Sequence, residues 1–96
     1  MYKTIYTRQA ECLREAIVAM RKNAGLNQRQ LAGRLGREQN LVGRLEKGQR
    51  RLDVVEFYWL CKACGVDPKS VARRLFKHFE EIEESASRQR SKARTS

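Results

Sequence analysis

The chain has 96 residues, enough for one small domain and too few for two domains with a catalytic cleft between them. Its 21 Lys and Arg residues outnumber its 11 Asp and Glu residues, and the formal charge of +10 favours a polyanionic partner, first of all nucleic acid. The sequence contains no apolar run of about 18 residues and no hydrophobic signal segment, so we expect a cytoplasmic protein with no membrane partner.

The first helix is predicted to follow a short N-terminal arm, residues 1–7. Thr7 can cap this helix, and Gly25 suits its end, because glycine adopts the left-handed backbone of a helix C-terminus at little cost. Between these two residues the apolar side chains recur at helical spacings: Leu13, Ala16, Ile17 and Met20.

Two short helices separated by a glycine form the most informative pattern in the chain. Asn27 and Gln30 make a capping-box pattern for a second helix over about residues 28–35. Gly36 permits a tight turn, and a third helix is predicted over about residues 38–46. Apolar residues occupy the positions at which two crossed helices touch: Leu31, Ala32, Leu35, Val42 and Leu45. This spacing predicts a helix-turn-helix formed by helices 2 and 3.

Two further helices complete a predicted all-α fold of five helices. Asp53 with Glu56 predicts the start of a fourth helix, and Pro68 at a first helical position predicts a fifth. We place the globular domain, including the C-terminal helix, at residues 8–84. Residues 85–96 are predicted to form a disordered basic tail, because their few apolar side chains cannot offset the chain entropy lost on folding.

The third helix presents polar side chains away from its apolar residues. Gln39, Asn40 and Arg44 are candidates for reading bases in a major groove, since Asn and Gln can pair with adenine and Arg can pair with guanine. Glu38 is expected on the same side, where a carboxylate can accept a hydrogen bond from cytosine or repel a wrong site. Leu41 is expected to be exposed and to contact a thymine methyl group. The alternative for these residues is an ordinary solvated helix face.

Charge is separated along the chain. Residues 29–51 contain seven basic and two acidic side chains, a local charge of +5, whereas acidic side chains cluster in the predicted fifth helix at Glu80, Glu81, Glu83 and Glu84. This separation is typical of a protein with one face toward phosphate. The basic tail fits nonspecific phosphate contact and a merely solubilising end equally well.

Seven residues between positions 28 and 48 together resemble the phage-repressor and Cro-like (Xre) helix-turn-helix family. The family's usual string is Gln, Leu-Ala, Gly, an aliphatic residue and Glu-x-Gly, and the matching residues are Gln28, Leu31, Ala32, Gly36, Val42, Glu46 and Gly48. The similarity covers about residues 10–76. It implies a compact, five-helix, repressor-like domain that binds DNA with its third helix.

The resemblance also implies contacts around the third helix. It places Gln28 against a phosphate, and it pairs Arg21 with Glu46 across the core, which would brace the reading helix. Residues before and after the reading helix are expected to contact the DNA backbone, and the full predicted set is Asn27, Gln28, Arg37, Gln49, Arg50 and Arg51.

The fourth helix is apolar nearly all round. One of its faces can serve the core, which leaves Tyr58 and Trp59 without an obvious place. We predict that these two residues form a two-fold dimer interface with Phe76, Phe79 and Ile82 of the fifth helix. The alternative is a small core that extends further around the fourth helix.

No residue pattern indicates catalysis, a metal or a cofactor. Cys61 and Cys64 form a C-x-x-C, but both lie on a predicted helix without a second ligand pair, which favours reduced thiols packed in the core. His78 stands alone, and no Ser, His and Asp set has a supporting motif. We therefore expect a protein that is not an enzyme and that holds no metal or cofactor.

The sequence thus supports three functions. The leading hypothesis is a sequence-specific transcriptional regulator that binds a pseudo-palindromic operator in double-stranded DNA as a homodimer and is nucleoid-associated when bound. The second is an antitoxin-type interaction protein that binds a toxin through its fourth helix or C-terminal segment and autoregulates its operon. The third is binding to nucleic acid through charge alone, with little sequence preference.

Overall fold

Five helices follow one another along the chain. The computed structural model describes the backbone of residues 2–95 and the side chains of residues 8–88. The helices are α1 (Tyr2–Asn23), α2 (Gln28–Arg34), α3 (Asn40–Glu46), α4 (Val54–Ala63) and α5 (Pro68–Thr95). The described backbone contains no strand, and the predicted all-α fold is confirmed.

The predicted start signals of α2 and α4 are realised as hydrogen bonds. Asn27 Oδ1 accepts from the Gln30 backbone N–H at 2.8 Å, and Gln30 Oε1 accepts from the Asn27 N–H at 2.9 Å. Asp53 and Glu56 form the same reciprocal pair at 2.7 Å and 3.1 Å. Because each box satisfies two backbone donors that a helix start leaves free, both helices begin where the sequence predicts.

The turn between α2 and α3 depends on Gly36. Its φ is +64°, and the Arg37 N–H donates to the Ala32 carbonyl oxygen at 3.0 Å while the Gly36 N–H donates to the Gly33 carbonyl oxygen at 3.1 Å. This pair of bonds is a Schellman motif, whose left-handed residue is costly for any residue with a Cβ.

The third helix begins later than predicted. Glu38 and Gln39 precede α3, which starts at Asn40, and the Gln39 side chain makes no capping hydrogen bond. The physical reason is that no Ser, Thr, Asp or Asn stands just before the helix to hold a longer first turn. Glu38 therefore lies in the turn rather than on the helix, although its carbonyl oxygen accepts from the Leu41 N–H at 3.1 Å.

The outer helices also extend beyond the predicted domain limits. α1 begins at Tyr2 and α5 continues to Thr95, so neither residue 7 nor residue 84 is a helix boundary. The side chains of the predicted arm, residues 1–7, and of most of the predicted basic tail, residues 85–96, lie outside the part of the chain whose side chains are described.

The core gathers one apolar side of every helix. Its most deeply buried large side chains are Ile17, Leu31, Val42, Leu60 and Cys61, each less than 2% exposed. α1 packs against α3 and against α5, and α2 packs against α3, so α1 supports the helix-turn-helix from behind and joins it to α5. Within residues 2–95, no helix combines the length and the apolar composition needed to cross a bilayer.

Leu41 belongs to this core, and its predicted exposure is wrong. Only 7% of the residue is exposed. Leu41 lines a small cavity of about 170 Å³ together with Leu45 of the same helix, Leu52 of the following loop, and Val55 and Trp59 of α4. α4 covers this side of α3, which pattern reasoning on helices 2 and 3 alone did not include.

Candidate nucleic-acid interface

A concave surface between α2 and α3 brings together six of the ten predicted DNA-contact residues. This recognition groove has a volume of about 650 Å³. Its predicted members are Asn27, Gln28, Gln39, Asn40, Arg44 and Gln49. Arg21, Arg29, Gly43 and Lys47 complete the lining. Polar and basic side chains on a shared concave surface can contact base edges and phosphates of one duplex.

The three amide and guanidinium side chains predicted to read bases are all exposed. Gln39 stands just before α3, Asn40 is its first residue, and Arg44 lies one turn further on. Asn40 and Arg44 are four residues apart and therefore share a side of the helix. Their aliphatic neighbours Val42 and Leu45 are buried, so α3 is fixed on one side and open on the other.

The predicted ion pair between Arg21 and Glu46 is present and joins α1 to the end of α3. Arg21 Nε donates to Glu46 Oε2 at 2.7 Å, and its second terminal nitrogen donates to Oε1 at 3.1 Å. The remaining terminal nitrogen of Arg21 donates to the Leu26 carbonyl oxygen at 3.0 Å. The hydrogen bond to Glu46 raises the pKa of Arg21, and the pair is almost shielded from solvent, with side-chain exposures of 11% and 7%.

Gln28 extends this network to α2, a contact that the sequence did not predict. Its Nε2 donates to Glu46 Oε1 at 2.8 Å. A Cβ added at Gly43 would lie 3.2 Å from Gln28 Oε1, which is closer than ordinary van der Waals contact. The glycine in the middle of α3 thus leaves room for the Gln28 side chain as it reaches Glu46.

Three of the four remaining predicted DNA-contact residues belong to a separate charged cluster. Arg37 and Arg50 surround the Glu56 carboxylate, and Arg51 borders them. Arg50 donates to both carboxylate oxygens of Glu56, at 3.0 Å and 2.6 Å, and Arg37 lies 3.5 Å from Glu56 Oε2. Arg50 also donates to the Arg51 carbonyl oxygen at 3.2 Å. Arg37, Glu38, Arg50 and Arg51 do not line the recognition groove. The structure therefore divides the predicted DNA residues into two groups.

Two basic groove residues were missed by the sequence reasoning. Arg29 directly follows Gln28, and Lys47 directly follows Glu46, so both side chains project from the ends of the helices that form the groove. The sequence signal that could have identified Arg29 and Lys47 is their position directly after Gln28 and Glu46, which the resemblance had already placed around the third helix.

Glu56 makes the stability of the fold dependent on pH. The hydrogen bonds from Arg50 and from the Asp53 backbone lower the pKa of Glu56 from 4.5 to about 2. Because the folded pKa is lowered, this contribution is complete above pH 4.5 and is lost as the pH falls toward 2. Since the carboxylate still touches solvent, we expect Glu56→Gln to destabilise the protein by about 1–2 kcal/mol at neutral pH.

The test is chemical denaturation of the wild-type protein and the Glu56→Gln variant between pH 7 and pH 2.5. The difference between the two free energies of unfolding should shrink steadily below pH 4.5. A Glu83→Gln variant, which changes an exposed carboxylate on α5, is the control and should differ little from wild type throughout. A difference for Glu56→Gln that persists unchanged at pH 2.5 would contradict the assignment.

The predicted dimer residues divide into exposed and half-buried groups. Tyr58, Trp59 and Phe76 are 45%, 57% and 60% exposed. Phe79 and Ile82 are half-buried, and Phe79 packs against the core while its carbonyl oxygen accepts from Gln9 Nε2 at 3.2 Å. α4 also exposes Val54 and Val55, which the sequence reasoning left out of the interface.

Cys61 and Cys64 are packed in the core, as the sequence predicts. Cys61 and Cys64 are buried, and burial raises the pKa of the Cys61 thiol to about 11. The Cys61 thiol lies 3.8 Å from the sulfur of Met20 across the core. Among the described side chains, no group of three or more His, Cys, Asp or Glu residues is placed to hold a metal ion.

Comparison with known proteins identifies the architecture. The family described as a helix-turn-helix domain matches residues 13–75. A solved structure, the XRE-family like protein from Pseudomonas syringae pv. tomato str. DC3000, is 38% identical, superposes with a TM-score of 0.76, and aligns over 80% of this chain and 94% of that chain. No curated protein matches the sequence. The chain therefore belongs to the Xre-like family of helix-turn-helix proteins.

Proposed function

We propose that this DNA-binding transcriptional regulator recognises a specific pseudo-palindromic operator as a homodimer, with α3 in the major groove. The observation that carries the proposal is the recognition groove, where Gln39, Asn40 and Arg44 lie exposed beside basic side chains. A major groove accepts an α-helix and offers each base pair in a distinct pattern of donors and acceptors. Two such helices in a two-fold dimer would read half-sites about one helical turn apart.

The side chains of the recognition groove divide into candidates for base contacts and candidates for phosphate contacts. Asn40 and Gln39 offer amides that can pair with both N6 and N7 on the major-groove edge of adenine, and Arg44 offers the fork that matches guanine. Arg29 lies on α2 and Lys47 follows the last residue of α3, so neither stands on the exposed side of the recognition helix, and we assign both to phosphates together with Asn27, Gln28 and Gln49. Phosphate contacts fix the register in which the base contacts are made.

Selection of bound duplexes from a random pool at fixed salt tests the proposal directly. We expect enriched sequences with two inverted half-sites whose centres are about 10 base pairs apart or a multiple of that distance. A single enriched site without symmetry would contradict the homodimer on the operator. An unenriched pool, bound with steep salt dependence, would contradict sequence-specific recognition and favour binding through charge alone.

The exposed apolar side chains of α4 and α5 support the dimer. Tyr58 and Trp59 contact each other edge to face, with ring centroids 5.1 Å apart, and Phe76 lies on the adjoining helix. Large aromatic side chains left in water on neighbouring helices are typical of a protein interface.

Trp59→Ala is expected to weaken self-association at least about tenfold, because a central aromatic side chain commonly carries much of the energy of an interface. Analytical ultracentrifugation at micromolar concentrations measures this change. Lys62→Ala, which removes an exposed polar side chain from the same helix, is the matched control. Unchanged association of Trp59→Ala would remove this surface from the dimer.

The same exposed face of α4 also favours a second candidate, an antitoxin-type protein that binds a toxin there. In that case the purified chain would remain monomeric at micromolar concentration, and a toxin encoded in the same operon would raise its affinity for the operator. A homodimer that binds its operator tightly without another protein would argue for the first candidate.

A further inference from the structure

Glu56 joins the two segments that flank the recognition helix. Arg37 lies in the turn before α3, and Arg50 lies in the loop after it. The Glu56 carboxylate on α4 is 2.6 Å and 3.0 Å from the terminal nitrogens of Arg50 and 3.5 Å from the nearest nitrogen of Arg37. One carboxylate thus neutralises part of the charge at both ends of α3.

The ion pair of Arg50 with Glu56 occupies the donors with which Arg50 could bind a phosphate. A guanidinium binds carboxylate and phosphate through the same two parallel N–H donors. Both terminal nitrogens of Arg50 are already used, and one of them also serves the Arg51 carbonyl oxygen. A DNA phosphate could use this fork only by displacing Glu56 or by sharing its donors.

Glu56 is also held firmly in place. Its side chain is only 18% exposed, against 46% for Arg37 and 34% for Arg50. The carboxylate accepts from the Asp53 backbone N–H at 3.1 Å, and the Glu56 N–H donates back to Asp53 at 2.7 Å. The Glu56 carboxylate is thus tied to the start of α4 and is the least exposed member of this cluster, whereas Arg37 and Arg50 are more open to solvent.

We propose that Glu56 competes with DNA phosphate for Arg37 and Arg50 and thereby limits the electrostatic part of DNA binding. The proposal rests on the DNA-binding function proposed above. The sequence predicted that Arg37 and Arg50 contact the DNA backbone. In this proposal their ion pairs with Glu56 largely keep both side chains from phosphate. Glu56 acts through the arginines without touching DNA, so it is a positioning residue.

Glu56→Gln is the informative substitution, because a capping box accepts Gln as well as Glu at this position and α4 keeps its start. The control is Glu83→Gln, which makes the same change in net charge at an exposed site on α5. We expect Glu56→Gln to bind a random duplex about threefold to tenfold more tightly than Glu83→Gln at about 100 mM salt. The slope of log affinity against log salt should steepen by about 1 to 2, one unit for each arginine released.

A double substitution assigns the gain to Arg50. In the Glu56→Gln background, Arg50→Ala should remove most of the added affinity. In the wild-type background, Arg50→Ala should weaken binding by no more than about threefold relative to Arg73→Ala, an exposed arginine on α5. The single substitution retains Glu56 and its cap, so this arm of the experiment does not depend on the stability of Glu56→Gln.

Three results would overturn the inference: a Glu56→Gln affinity equal to that of Glu83→Gln, a weaker affinity of Glu56→Gln, or a tenfold loss from Arg50→Ala alone. The first would show that the arginines do not reach phosphate, and the other two would show that Glu56 and Arg50 support binding directly. Failure of the proposed function looks different, because the wild-type protein would then bind no duplex or would select no sequence from the random pool.

Discussion

Replacing Glu46 with alanine is expected to lower the free energy of unfolding by about 3 kcal/mol, the cost of leaving one member of a buried ion pair without its partner. Glu46 accepts two hydrogen bonds from Arg21 and one from Gln28. The substitution leaves a guanidinium that is only 11% exposed with a single remaining partner, the Leu26 carbonyl oxygen. It also frees the end of α3 from α1 and α2.

Urea denaturation followed by circular dichroism, at one fixed protein concentration, measures this loss. Glu83→Ala is the control, because exposed substitutions of this kind usually change stability by less than about 0.5 kcal/mol. Replacing both Arg21 and Glu46 by alanine should cost less than the sum of the two single losses, since neither charge is then left unpaired. A loss for Glu46→Ala no larger than that of the control would contradict the role of the pair.

Replacing Arg44 with alanine is expected to relax the preference at one base pair of each half-site by about 1–3 kcal/mol, the discrimination that a bidentate base contact provides. Arg44 is exposed in the recognition groove, one turn after Asn40. Affinity for the preferred site should fall, whereas affinity for a site already mismatched at that base pair should change little. The measurement is a set of equilibrium titrations against the operator and its single-base variants at constant salt.

Arg29→Ala gives the contrasting result that identifies a phosphate contact. Arg29 lines the same groove from α2, and its loss should weaken binding about equally for every sequence and reduce the salt slope by about 1. Uniform weakening by Arg44→Ala would refute its role as a base reader. A relaxed preference in Arg29→Ala would show instead that α2 also reads bases.

Local chemistry explains what was predictable from the sequence. The capping boxes at Asn27 and Asp53 and the turn at Gly36 each join residues at most five apart, so the interaction and its signal lie in the same short segment. The apolar spacing of helices 2 and 3 likewise implied which of their sides is buried. The pair of Arg21 and Glu46 came from the family resemblance, because a contact between residues 25 apart has no local signal.

The start of α3 and the burial of Leu41 show how nearby structure overrides a local pattern. The helical periodicity extends back to residue 38, but no capping side chain holds a first turn there, and α3 begins at Asn40. Leu41 is apolar on a side of α3 that looks open beside α2 alone. It is buried because Leu52 and α4 cover it.

The sequence by itself determined the all-α class, the helix-turn-helix and the identity of the exposed polar residues on the third helix, since each follows from periodicity, caps and turns within short segments. Only the tertiary structure decided which polar and charged side chains contact one another. Gln28 contacts Glu46 across 18 residues, and Arg37 contacts Glu56 across 19. An arginine side chain can pair with a DNA phosphate or with a carboxylate of its own chain. α4 places the Glu56 carboxylate within reach of Arg37 and Arg50, so both arginines already have a partner in the absence of DNA.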